Sequence, residues 1–139
     1  MKYPNKSMAV LPLALAALVA QAEARAEVVV IVSANHPAAA MTAEQIANVY
    51  LGKDARFAPI DLPEGSAARE EFYKKVAGKD AAQVKAMWAR LIFTGKGQPP
   101  KQVGSAADAV KQVAGNDKAI AYVDTSAVDA SVKAVLIVQ

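Results

Sequence analysis

Apolar residues in this chain recur in two rhythms. Glu27-Val28-Val29-Val30-Ile31-Val32-Ser33 is a nearly continuous run of β-branched side chains. Such a run predicts a strand covered on both faces, since a half-solvated strand would alternate. Residues 118–123 and 131–138 read as further strands, and Ala58-Pro59-Ile60-Asp61-Leu62 as a short one. Pro59 lacks an N–H for the ladder, which favours a strand's first position or a sheet edge. Tyr122 is expected to pack within its strand with its hydroxyl at the end of the sheet.

The intervening segments follow a helical period. Thr42-Ala43-Glu44-Gln45 is a capping-box pattern, Ile46, Val49 and Tyr50 share the face that follows, and Gly52 can stop the helix. A second helix opens at Ser66, carries Phe72 and Val76 and ends at Gly78. Asp80 caps a third, whose apolar residues Val84, Met87, Trp88, Leu91 and Ile92 form the cleanest amphipathic stripe in the chain. This helix is expected to bury the only tryptophan and hold the core together. Phe72, Tyr73, Trp88 and Phe93 are assigned to core or half-buried positions. Ser105 caps a fourth helix with Ala106, Val110 and Val113 inward, and Thr94–Lys101 is read as a loop.

The order β-α-β-α-α-α-β-β predicts the α/β class: a single three-layer α/β/α lobe around a mixed, mostly parallel sheet of about four strands. Crossovers should be right-handed. In such sheets ligands gather at the carboxyl ends of strands, beside helix N-termini.

Residues 1–26 are set apart. Lys2 and Lys6 precede the apolar run Met8–Ala20, and Ala24-Arg25-Ala26 supplies the small residues of a cleavage site, so a signal peptide is expected there. The formal net charge of +3 owes much to this leader; residues 27–139 hold 13 Lys/Arg and 12 Asp/Glu and form the expected domain. That near-neutral balance argues against a nucleic-acid partner. With no cysteine, disulfides and thiol chemistry are excluded; a periplasmic location is expected, and a protein exported there without disulfides must rest on packing.

Candidate chemistry centres on Asp61-Leu62-Pro63-Glu64-Gly65-Ser66-Ala67-Ala68-Arg69. Ser66 can cap the helix, the open amides through Ala67 and Ala68 can face an anion, and Arg69 can add a planar fork of donors. Ser33 and Asn35, ending the first strand, are expected to line the same edge. No enzyme constellation is evident. His36 is a lone histidine in a loop, read as solvated, and Glu70 and Glu71 point about 100° apart on a helix. Gly95-Lys96-Gly97-Gln98 lacks the leading glycine, the Lys-Ser/Thr ending and the preceding strand of a phosphate loop. No cofactor or metal is expected.

Several blocks resemble a known family: Val30-Ile31-Val32 followed by Asn35 and Pro37, Tyr50-Leu51-Gly52-Lys53, Gly65-Ser66-Ala67-Ala68-Arg69-Glu70-Glu71-Phe72-Tyr73, Trp88 to Pro100, and Ala119-Ile120-Ala121-Tyr122-Val123. In order and spacing they resemble the phosphate ABC transporter substrate-binding proteins of the type 2 periplasmic-binding superfamily, and most of all their short, single-lobe members. The resemblance implies a phosphate cradle at a Gly-Ser-Gly-Thr-Arg turn. Gly65, Ser66 and Arg69 match it, while Ala67 and Ala68 stand for the second glycine and the threonine. It also implies two lobes closing on the ion, where this chain has residues for about one; a homodimer could supply the other. Two functions follow as expectations. One is weak binding of phosphate or a related oxyanion in connection with an ABC permease. The other is an interaction module, a periplasmic sensor or adaptor for a membrane partner.

Overall fold

The structure is a computed structural model that describes residues 27–139, so the expected leader lies outside the described residues. Five strands form one sheet: β1 (Val28–Ser33), β2 (Ala58–Asp61), β3 (Lys101–Gln102), β4 (Ala119–Asp124) and β5 (Val132–Ile137), in the spatial order β3-β2-β4-β1-β5. β1 is antiparallel to both β4 and β5, while β2 is parallel to both β3 and β4. Four strands therefore share one direction and β1 alone opposes them.

The expected count of about four is corrected to five. The added strand, β3, is two residues at the end of the segment read as a loop, paired with Ile60 and Asp61. Two residues carry no periodicity, so no pattern could announce them. The pairing of β2 with β3 begins at Ile60, one residue beyond Pro59, so the missing proline N–H is not asked to pair with β3.

Among the described residues, the four α-helix starts are capped as the sequence predicts. Thr42 and Asp80 complete capping boxes before α1 (Ala43–Tyr50) and α3 (Ala81–Phe93). Ser66 and Ser105 accept from the third helical amide of α2 (Ala67–Phe72) and α4 (Ala106–Ala114). α2 runs on into a π-helical turn, Tyr73–Ala77, and stops at the left-handed Gly78. Every residue of β1 and the first five of β4 are buried, as a two-sided cover requires. On one face Tyr50, Phe72 and Tyr73 gather around Tyr122; Phe72 stacks on Tyr122 at 4.2 Å and meets Tyr50 edge-on at 4.7 Å. α4 packs on β4 and β1 through Ala109, Val110 and Val113, outside this aromatic cluster, and covers the other face.

α3 departs from expectation. Only Val84 and Trp88 of its thirteen residues are buried, Met87 and Leu91 are half-buried, and Ile92 and Phe93 are 51% and 89% exposed. The helix lies at the periphery, and the aromatic cluster takes the central role assigned to it. Its anchor is Trp88, whose ring sits against Gly52. That glycine has φ of 81°, and a Cβ there would stand 3.1 Å from the indole. The amphipathic stripe is real, but the lobe covers only its first half.

Truncating these two phenylalanines should separate core from surface. Phe72→Ala is expected to cost about 3–5 kcal/mol, and Phe93→Ala to stay within roughly 0.5 kcal/mol of the parent. Urea unfolding midpoints measure both, and a large loss from Phe93→Ala would contradict its exposed position.

Candidate functional site

At the carboxyl end of β2 the chain buries a carboxylate. Asp61 is 4% exposed and ends the strand between β3 and β4. The Tyr122 hydroxyl donates to its Oδ1 at 2.5 Å, and the Tyr73 hydroxyl donates to Oδ2 at 2.9 Å. Arg69 Nη1 stands 3.8 Å from Oδ2. The Leu62 amide donates to the Tyr122 oxygen at 3.1 Å, so the network is tied to the backbone. Tyr50 makes a parallel tie, its hydroxyl lying 2.7 Å from the Ile60 carbonyl and 3.1 Å from that of Ile120, which bridges β2 to β4.

Burial raises the Asp61 pKa above the ordinary carboxylate value; the Tyr122 hydrogen bond, the Arg69 charge and the Tyr73 hydrogen bond oppose that rise, and Glu64 adds to it. Tyr73 and Tyr122 are pushed far above the ordinary phenol range, by burial first and by the charge of Asp61 second. Both therefore stay protonated and serve as donors at any working pH.

Beside this network opens a hollow of about 450 Å³. Asp61, Arg69, Tyr73 and Gln102 give it a polar floor; Val84, Trp88, Ile92, Pro99 and Pro100 give it an apolar wall, and Glu64, Glu70 and Lys85 add charges to the lining. Arg69 is folded back into the lobe. Its Nη1 donates to the Leu62 carbonyl at 2.9 Å and reaches Gln102 Oε1 at 3.4 Å, and its guanidinium lies 5.7 Å from the centre of the Tyr73 ring. Among the described residues, Nε and Nη2 have no hydrogen-bond partner.

The residues expected to form one anion cradle are dispersed. Ser66 Oγ accepts from the Arg69 amide at 3.0 Å, an ordinary cap. Ala67 and Ala68 line a different hollow, shared with Glu70, Glu71, Lys74, Lys75 and Asp124, while Arg69 belongs to the first. Ser33 and Asn35 are not on this edge at all. Because β1 is antiparallel, Val28 is level with Asp124 and Ile31 with Ala121, so the chain leaves Ser33 at the opposite end of the sheet from Asp61. There Ser33 Oγ is occupied in accepting from the Asn35 amide. The expectation of a shared edge assumed a parallel first strand.

His36 is not simply solvated: it is half-buried, its Nδ1 accepts from the Ala38 amide, and its ring stacks on Phe57 at 5.5 Å. Lys96 stays exposed in its loop. Among the described residues no three His, Asp or Glu side chains gather as metal ligands. Asp61, Tyr73 and Tyr122 are assigned no anion-binding role by the sequence. The only available signal was an aspartate ending a short apolar strand, where a carboxylate is costly without partners.

Solved structures share this architecture. A proposed phosphate ABC transporter substrate-binding protein with bound phosphate, from Clostridium perfringens, matches 79% of this chain and 44% of its own at 26% identity and a TM-score of 0.63. An ABC-type phosphate transport receptor from Vibrio cholerae matches 79% of this chain and 45% of its own, at 19% identity and 0.61. PstS from Borrelia burgdorferi matches 80% and 47%, at 12% identity and 0.59. The fold is that of the phosphate ABC transporter substrate-binding proteins. The chain spans less than half the length of these neighbours. No protein-family model matches the sequence, and no curated protein does.

The raised Asp61 pKa carries a sign that can be measured. Its folded value lies above the unfolded one, so its contribution to stability is full below the unfolded value of 3.8 and declines as pH rises through the folded value. Urea unfolding of parent and Asp61→Asn between about pH 3.5 and 7.5 should show the parent's relative advantage shrinking with rising pH. An advantage that grows with pH would mean that folding lowers the Asp61 pKa instead of raising it.

Proposed function

We propose that this domain binds phosphate or a related small oxyanion weakly, as a solute-binding component of ABC-type phosphate uptake, after export to the periplasm. The observation that carries this reading is Arg69, with two unpartnered donors beside a hollow at the carboxyl end of β2. A guanidinium presenting two adjacent N–H groups matches an oxyanion in geometry and charge. A solved neighbour of the same fold carries bound phosphate, which supports the choice of anion.

Affinity is held low by two features. Ala67 and Ala68 line a different hollow from the guanidinium, and Glu64 and Glu70 put negative charge on the same hollow as Arg69. The reading is non-enzymatic, because the tyrosine hydroxyls are locked as donors to Asp61 and supply no base or nucleophile. Residues 1–26 would act as the leader, and an ABC permease would be the downstream partner.

A second reading, an interaction module serving as a periplasmic sensor or adaptor, is favoured by Ile92 and Phe93. Two adjacent large apolar side chains on the last turn of a helix are a surface that a partner can bury.

Calorimetric titration with phosphate and with sulfate, followed in parallel by Trp88 fluorescence, tests the first reading, since Trp88 lines the hollow. Binding in the millimolar range, about −4 kcal/mol, is expected. Arg69→Lys keeps the charge but loses the fork and should weaken it by about tenfold. Absence of any heat or fluorescence change at about 10 mM of either anion would leave the interaction module as the function.

A further inference from the structure

We infer that the last turn of α3 and the hollow beside it are covered in solution by a second copy of this chain, in a two-fold symmetric dimer. The inference goes beyond oxyanion binding and does not depend on it. Ile92 and Phe93 project from the end of α3, and Ile92 continues into the wall formed by Trp88, Pro99 and Pro100. An apolar centre of this kind with charged residues around it has the anatomy of a protein interface. α3 itself is anchored through two buried residues, so the outer half of its stripe has no cover among the described residues.

The charges identify the occupant. Glu64 and Glu70, on the turn and on α2, put acid on one side of the hollow, and Lys85 on α3 puts base on the other. A two-fold axis through the apolar centre brings the acidic side of each copy against the basic side of its mate. A partner of one sign would leave half of the rim opposed to like charge. Residues 27–139 are close to neutral, with 13 Lys/Arg and 12 Asp/Glu, so two copies do not repel at long range. Pairing through the adjacent sheet edge is disfavoured, because β3 is two residues long and one of them is Lys101.

Sedimentation velocity of the purified chain from about 5 to about 500 µM decides the matter. The expected result is a monomer–dimer equilibrium that Phe93→Asp and Ile92→Asp each weaken by about tenfold or more. Phe93 is 89% exposed, so Phe93→Asp should keep the parent's thermal midpoint, and loss of the dimer cannot then be ascribed to unfolding. A chain that stays monomeric throughout overturns the inference, whatever the phosphate titration shows. So does a dimer that withstands both substitutions but dissociates with Ile137→Asp, which would put the interface on the β5 edge, where Ile137 is also exposed.

Discussion

The constraint on which the rest depends is the buried carboxylate of Asp61. An ionised group withdrawn from water in a lobe this small is tolerated only where several donors converge on it. Here Arg69 comes from α2, Tyr73 from the π turn that continues it and Tyr122 from β4, so satisfying one side chain ties α2 with its π turn and β4 to the end of β2. Phe72 and Tyr50 complete the aromatic cluster that keeps water out. The same arrangement holds Arg69 by one nitrogen and leaves Nε and Nη2 without a partner among the described residues, on a side chain that lines the hollow. Structural need and candidate function thus share the same side chains, and removing the carboxylate would change both.

The sequence was most legible where short-range physics decides. The caps at Thr42, Ser66, Asp80 and Ser105 depend on three-residue hydrogen bonds and were all readable, as were the buried strands, whose β-branched runs admit few other solutions. Direction was not readable. A continuous apolar run looks the same in either sense, so nothing in Val28–Val32 revealed that β1 opposes its neighbours. That one sign carried Ser33 and Asn35 to the far end of the sheet. The Asp61 network was hidden for a related reason: its partners lie 12 and 61 positions away along the chain, and no local pattern marks them.

α3 shows a different limit. Val84, Met87, Trp88, Leu91 and Ile92 form a true helical stripe of the kind that packs into a core. Hydrophobic period reports that a face requires cover; it does not report what supplies it. In this lobe Gly52, by lacking a Cβ, admits the Trp88 ring and so draws in the first half of the helix. Leu91, Ile92 and Phe93 lie beyond that anchor and are left half-buried or exposed.

The two unusual features of the surface meet at one place. The polar floor of the hollow is built by β2, α2 and the π turn, and its apolar wall by α3 and the Pro99–Pro100 segment that leads into β3. An anion held by Arg69 would sit between them, in a site whose effective dielectric falls as the wall is covered. Excluding water would strengthen the guanidinium–oxyanion contact and also the repulsion from Glu64 and Glu70, unless a basic side chain arrives opposite them. Cover that brings Lys85 of a second copy to those carboxylates would relieve that repulsion, whereas purely apolar cover would intensify it. The charge of the surface that closes over α3 therefore decides whether this hollow binds an anion better or worse than the open lobe does.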